Sequence, residues 1–136
     1  MYAFDDFRKF IKVLDLTVPW AHSYADMRPG KTDLERRENY RAAAVQVICT
    51  KPDIVFWWAF RISVTKSGRR LDVDNVAKTI IDSFSASQLK RDGSKYADLA
   101  LYTDDTFDEV RILQVIGNPK VNVDSTHIEV FACIQE

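Results

Sequence analysis

The chain has 136 residues, enough for one compact domain and too few for two domains that each bury a core. Apolar residues make up 46% and charged residues 29% of the sequence, as is typical of an ordinary globular protein. The formal net charge of −1 excludes a protein that coats nucleic acid by charge alone, and no apolar run approaches the ~18 residues of a membrane span. We therefore expect a single domain over residues 1–136 with no membrane association.

The predicted elements alternate in type along the chain. Residues 1–12 mix charged and aromatic side chains and are predicted to be an N-terminal extension. There follow a strand over 13–18, a helix over 33–48, a strand over 54–65, a helix over 74–84, a strand over 110–116 and a final strand over 127–134. The polar segment 85–101 is predicted to be an inserted loop. Because no βαβ pattern repeats, the order indicates an α+β fold, a small mixed sheet of about four strands with helices packed on it.

Several residue types are interpreted as structural. Cys49 and Cys133 are far apart and lack metal-ligand spacing, so we expect reduced, buried thiols. His127 opens the last strand and is expected to support the fold. The run Phe56-Trp57-Trp58 is interpreted as core or a subunit contact in preference to a base-stacking platform. Residues 1–10 hold four charged side chains and no apolar stretch typical of a signal peptide, so a cytoplasmic location is expected.

The most informative segment contains two aspartates, Asp72 and Asp74, separated by one residue. In an extended stretch both side chains leave on the same side. Two carboxylates held together repel each other unless a proton or a cation lies between them, and hard oxygen ligands suit Mg²⁺ or Mn²⁺. Alone, such a pair is more typical of helix caps and turns, and Asp74 stands in N-cap position.

The helix that follows has a charged side. Asp74, Lys78 and Asp82 are each four residues apart, so they line up along one side of the helix. The apolar stripe that would face the core consists of Val76, Ala77, Ile80, Ile81 and Phe84. Lys78 with Asp82 alone would be interpreted as a solvated pair.

A third acidic feature, Asp104-Asp105, precedes the strand over 110–116. It can bring one more carboxylate to the same edge of the sheet, although alone it is typical of a solvated loop. Four basic residues are candidates for contacts with DNA phosphates: Lys66, Arg69, Arg70 and, as a less strongly supported candidate, Lys120. Three carboxylates, a lysine and a basic turn together indicate a site that cleaves phosphodiesters with a metal.

These residues occur in a pattern that resembles the RusA-type Holliday junction resolvases. The matching positions are Arg70-Leu71-Asp72-Val73-Asp74-Asn75, Lys78, Asp82 and Asp104-Asp105. That family has an Asp-x-Asp-Asn motif leading into a helix, with a lysine six residues and an aspartate ten residues after the first aspartate. Lys78 and Asp82 stand six and ten residues after Asp72. The segment between Asp82 and Asp104 is longer than usual for the family.

The resemblance implies a RusA-like resolvase fold and a set of roles. Asp72, Asp74 and Asp105 correspond to the metal ligands and Lys78 to the catalytic lysine, with Asp82 and Asp104 in supporting positions. It also implies a homodimer that uses Mg²⁺ or Mn²⁺ to cleave four-way or other branched DNA. The alternative is a dimeric module of the same fold that binds branched DNA without cutting it. A third interpretation, the metal-nucleotide site of a sugar-transferring enzyme, is disfavoured because the chain has only 4 glycines and no phosphate loop.

Overall fold

The computed structural model describes residues 4, 6, 8–21, 31–67, 73–106, 108–120 and 122–135, with backbone alone at 31–33 and 73–75. The strands are β1 (Phe10–Val18), β2 (Trp57–Lys66), β3 (Val110–Pro119) and β4 (Ser125–Cys133). The helices are α1 (Lys31–Ala44), α2 (Val73–Ser83), α3 (Ala86–Asp92) and a short 3-10 helix (Ala97–Leu99). Four strands with helices packed on them confirm the predicted α+β class.

The strands form one mixed sheet in the order β1-β4-β2-β3. β4 is antiparallel to both β1 and β2, and β2 is parallel to β3. A parallel pair needs a long crossover, because a hairpin turn can only reverse the chain. Helices α2 and α3 form that crossover between β2 and β3.

The two faces of the sheet are covered differently. Phe60, Ile62, Ile128 and Val130 alternate along β2 and β4 and pack into the main core with α1 and α2. The opposite face carries a smaller aromatic cluster made of Phe10, Trp57, Ala59, Phe131 and Cys133, with Phe4 packed against it. In the described part of the chain no helix covers this second face, which we call the open face.

The segment 85–101 contains a capped helix, so the prediction that it is a loop is wrong, whereas its being an insertion stays a prediction. Ser85 caps α3 by accepting a hydrogen bond from the Gln88 amide, and Gly93 closes it in the left-handed conformation at φ 61°. Leu89 and Leu99 are buried at 3% and 4% exposure. The pattern Ser85-x-x-Gln88 is typical of the start of a helix, and Gly93 is typical of its end. The prediction of a loop considered only the polar composition of the segment.

A network of ion pairs connects α3 to α1. Arg41 is wholly buried and donates to the Ser83 carbonyl at 2.6 Å and to carboxylate oxygens of Glu38 and Asp92 at 2.7 and 2.9 Å. Arg37 adds a two-pronged contact to Asp92 at 2.7 and 2.8 Å. Burial raises the pKa of Asp92, but the hydrogen bonds from both arginines and Gln88 outweigh it and hold that pKa below its usual value.

Other element boundaries shift by a few residues. β1 begins at Phe10, so the end of the predicted N-terminal extension belongs to the sheet, where Phe10 pairs with Cys133. α1 ends at Ala44, four residues before the prediction, and β3 continues three residues beyond it. Cys133 is buried as expected, whereas Cys49 is exposed.

Candidate functional site

Helix α2 carries Lys78 and Asp82 beside a buried apolar stripe. Val76, Ala77, Ile80 and Ile81 are buried in the main core. Lys78 is half exposed, and its Nζ lies 3.5 Å from Oδ2 of Asp82, one turn later. Because the stripe is packed against the core, the Lys78 and Asp82 side chains are held on one side of the helix.

Residues 101–105, which we call the acidic turn, are attached to the junction of α2 and α3. Three backbone hydrogen bonds make the attachment: Leu101 N–H to Phe84 O at 3.0 Å, Ala86 N–H to Tyr102 O at 2.8 Å, and Ser87 N–H to Thr103 O at 3.0 Å. The buried Tyr102 hydroxyl also donates to the Ile81 carbonyl. The position of Asp104 and Asp105 therefore depends on the end of α2, although they are more than twenty residues away in sequence.

The side chain of Glu109 also holds the acidic turn in place, through two hydrogen bonds to its backbone. Its Oε1 accepts the Thr103 amide at 3.0 Å and its Oε2 accepts the Asp104 amide at 2.8 Å. The Asp104 carboxylate in turn accepts the Asp105 amide at 2.9 Å, and this bond lowers the pKa of Asp104. Both exposed aspartates thus stand on a backbone that is fixed by hydrogen bonds.

Electrostatics shows that these carboxylates act on one another. Burial raises the pKa of Asp82, and the negative charge of Asp105 raises it further against the opposing effect of Lys78. Burial also raises the pKa of the Tyr102 hydroxyl, and Asp82, Asp105 and Glu109 add to that rise. The carboxylates of Asp82, Asp105 and Glu109 therefore act on Tyr102, and Lys78 and Arg37 partly offset the effect on Asp82.

The structure brings together four of the predicted residues: Lys78, Asp82, Asp104 and Asp105. Arg69, Arg70 and Asp72 lie outside the described residues, and Asp74 is described only as backbone in the first turn of α2. The predicted grouping of Asp105 with Asp72 and Asp74 stays a prediction. Carboxylate oxygens are the donors that Mg²⁺ prefers. Among the described side chains, however, three candidate ligand atoms lie within 4.8 Å of one another in a group on the open face and not at the end of α2.

Two predicted phosphate contacts, Lys66 and Lys120, lie at the far end of β3. The Lys120 amide donates to the Lys66 carbonyl at 3.2 Å, where β2 and β3 end together. The acidic turn precedes the other end of β3, about 30 Å away at ~3.3 Å per residue. Lys66 Nζ also lies 3.5 Å from Asp124, so part of its charge is already balanced. These lysines would meet DNA well away from Asp105.

A second acidic group, on the open face, was not found by sequence reasoning. Asp15, His127 and Glu129 offer ligand atoms within 4.8 Å of one another, and among the described side chains this group could hold a metal ion. His127 Nε2 lies 2.7 Å from Asp15 Oδ1. The antiparallel pairing of β1 and β4 sets Asp15 opposite Glu129, a contact between positions more than a hundred residues apart. No local pattern signals it.

The carboxylates of this second group are already paired with basic side chains. Arg61 makes two hydrogen bonds to Glu129 at 2.8 and 2.9 Å, and Lys12 lies 2.8 Å from Glu129 and 3.1 Å from Asp15. The Arg61 contacts, with help from Lys12, lower the pKa of Glu129 to about 2. The bond from His127 likewise lowers the pKa of Asp15. A metal here would compete with two ammonium or guanidinium groups for the same oxygens.

A scan against models of known protein families gives no match for this chain, and a search of curated proteins gives none either. The resemblance to the RusA-type resolvases therefore depends on the motif residues alone. Within the described residues, no helix is both long and apolar enough to cross a bilayer.

Proposed function

We propose that this protein is a metal-dependent, structure-selective endodeoxyribonuclease that cleaves Holliday junctions or other branched DNA. The observation that supports it is the attachment of the acidic turn to the end of α2. That attachment sets Asp105 beside the side of α2 that carries Lys78 and Asp82. The backbone of Asp74 lies in the first turn of the same helix, and Asp72 precedes it in the sequence, so one rigid element would present Asp74 and Lys78 together.

In this proposal Asp72, Asp74 and Asp105 hold Mg²⁺, or Mn²⁺ in its place. When bound, the ion would polarise the scissile phosphate and lower the pKa of an attacking water. Lys78, half exposed on α2, would donate to a phosphate oxygen as negative charge develops. Asp82, mostly buried at 16% side-chain exposure, would position the Lys78 ammonium from one turn away. Asp104 would keep the Asp105 backbone in place by accepting its amide.

The proposed partners are branched DNA and a second copy of the chain. A two-fold dimer matches a four-way junction, because the dimer has two equivalent active sites and the junction has two equivalent strands to cut. A net charge of −1 predicts weak non-specific binding, so selectivity would depend on the shape of the branch. Light scattering on the purified protein should give twice the monomer mass, and a monomer with full activity would remove the dimer from the proposal.

The test is nicking of a synthetic four-way junction, with linear duplex of the same sequence as the substrate control. We expect Mg²⁺-dependent cleavage of the junction that EDTA abolishes and that Asp74→Asn reduces by roughly 10²- to 10⁴-fold. The matched control is Asp108→Asn, an exposed aspartate three residues beyond Asp105, which should cut at the unmutated rate. Junction binding without cleavage by the unmutated protein would instead assign a non-catalytic binding module.

A further inference from the structure

A cleft opens at the start of β2, beside the acidic turn. It has a volume of about 210 Å³, below the ~300–1,000 Å³ of pockets for drug-sized ligands, so it suits a single ring system. The residues that matter in its wall are Lys51, Asp53, Phe56, Trp57, Trp58 and Glu109. Phe56 is 42% exposed, whereas Trp57 and Trp58 are buried at 6% and 4%. Phe56 is therefore the aromatic side chain of the cleft wall that is most accessible to a ligand.

Glu109 makes the cleft continuous with the candidate site. Its carboxylate holds the Thr103 and Asp104 amides, and its carbonyl accepts the Trp58 amide at 2.7 Å. Leu101, the first residue of the acidic turn, also lines the cleft. The cleft and Asp105 are therefore connected through one hydrogen-bonded turn.

The charges of the wall indicate what kind of group enters. Asp53 and Glu109 contribute two carboxylates against the single ammonium of Lys51. Such a wall repels a phosphate but can accept hydrogen bonds from a neutral ring with N–H donors. Nucleobases combine a flat apolar face with N–H groups at the edge, and a base stacks on an exposed aromatic ring whatever its sequence.

We propose that this cleft binds an unpaired nucleobase of the DNA strand that carries the scissile phosphate, with the ring stacked on Phe56. The inference rests on the proposed nuclease function and adds a subsite to it. Bases at a branch point are the least costly to unstack, so a cleft that captures one would favour branched DNA over continuous duplex. Phe56 would then select the substrate without contacting the reacting phosphate.

Phe56 can be changed without disturbing the core. It belongs to neither buried cluster, and its backbone is held by the bond from its amide to the Cys133 carbonyl at 2.9 Å. Phe56→Leu keeps an apolar side chain and removes the aromatic face. Ile54→Leu is the matched control, because Ile54 is 70% exposed, lies two residues away and does not line the cleft.

The experiment measures binding of a fluorescein-labelled oligothymidylate of about eight nucleotides in EDTA, against the same strand with abasic central positions. We expect the complete strand to bind roughly 5- to 100-fold more tightly, the range that stacking of one base produces. Phe56→Leu should lose most of that difference and Ile54→Leu should keep it. Equal binding of the two strands, or a Phe56→Leu variant that discriminates like the unmutated protein, overturns the base subsite.

Cleavage of the four-way junction in Mg²⁺ by the same preparations tests the nuclease separately. Cleavage without base-dependent binding removes the subsite and leaves the nuclease in place. Base-dependent binding that requires Phe56, without any cleavage, keeps the subsite and removes the nuclease. The two proposals can therefore fail independently of each other.

Discussion

The acidic groups on the two sides of the sheet differ in how their charge is balanced. On the open face, Asp15 and Glu129 are bonded to Lys12, Arg61 and His127, and the pKa values of both carboxyls are lowered. At the end of α2 the pKa of Asp82 is raised by burial and by the neighbouring charge of Asp105, whereas the bond from the Asp105 amide lowers the pKa of Asp104.

This difference distinguishes the paired carboxylates of the open face from Asp82, a buried carboxylate that costs stability while it is charged. Carboxylates whose pKa is lowered already stabilise the folded state, and a metal would have to displace their partners. A carboxylate whose pKa is raised lowers stability while it is charged, and a divalent cation relieves that cost. The ligand atoms of Asp15, His127 and Glu129 lie close together, but cations already pair with them, so our proposal keeps the metal at the end of α2.

The largest expected effect is on junction cleavage, which should depend on Asp105 and not on Glu129 of the open face. Asp105→Asn should lower Mg²⁺-dependent junction cleavage by roughly 10²- to 10⁴-fold, because it removes a proposed ligand. Glu129→Gln should stay within about twofold of the unmutated rate when assayed well below its melting temperature, because Glu129 is bonded to Arg61 and Lys12 on the open face. If Glu129→Gln abolished cleavage while the fold stayed intact, the functional metal would belong on the open face.

The next effect concerns stability. Glu129→Gln should cost up to about 3 kcal/mol at pH 7, because the pKa of Glu129 falls from 4.5 to about 2 on folding. A lowered pKa stabilises the fold above pH 4.5, and this contribution disappears as the pH falls towards 2. Urea unfolding of both proteins at pH 7, 4.5 and 3 should show the gap closing. Glu35→Gln, at an exposed glutamate of α1, is the control and should change stability by less than ~0.5 kcal/mol.

Binding of Mg²⁺ should raise stability through the site at the end of α2. At ten times its dissociation constant the ion should add about 1.4 kcal/mol to the free energy of unfolding. Thermal melts of the unmutated protein and of Glu129→Gln should shift upward by similar amounts, whereas Asp105→Asn should shift little. A shift that survives in Asp105→Asn and vanishes in Glu129→Gln would reverse the assignment of the two groups.

The smallest effect is a gain in stability from a change in the candidate site. In EDTA at pH 7, Asp82→Asn should raise the melting temperature slightly, because it removes a mostly buried charge that is repelled by Asp105. The lost pair with half-exposed Lys78 is worth little. Since the raised pKa penalises only the charged form, the gain should fade as the pH drops towards 4. Thermal melts at pH 7 and pH 4.5 measure this, and a loss of stability at pH 7 would show that the Lys78 contact dominates.

Local patterns accounted for much of the architecture. The apolar stripe of α2 and the four-residue spacing of Lys78 and Asp82 follow from helical periodicity, and the structure has both. The alternation along β4 likewise predicted Ile128 and Val130 in the core. The prediction failed over 85–101, because the buried residues Leu89 and Leu99 are sparse in a polar segment and its caps were not recognised.

The sequence by itself determined the candidate residues of α2, since three or four residues along a helix decide which side chains share a side. Only the tertiary structure decided that Asp105 lies near Asp82, through bonds from the acidic turn to the end of α2. It also decided that Asp15 meets Glu129, through the pairing of β1 with β4. The physical reason is that strand pairing and turn docking depend on contacts between distant segments, about which periodicity within one segment carries no information.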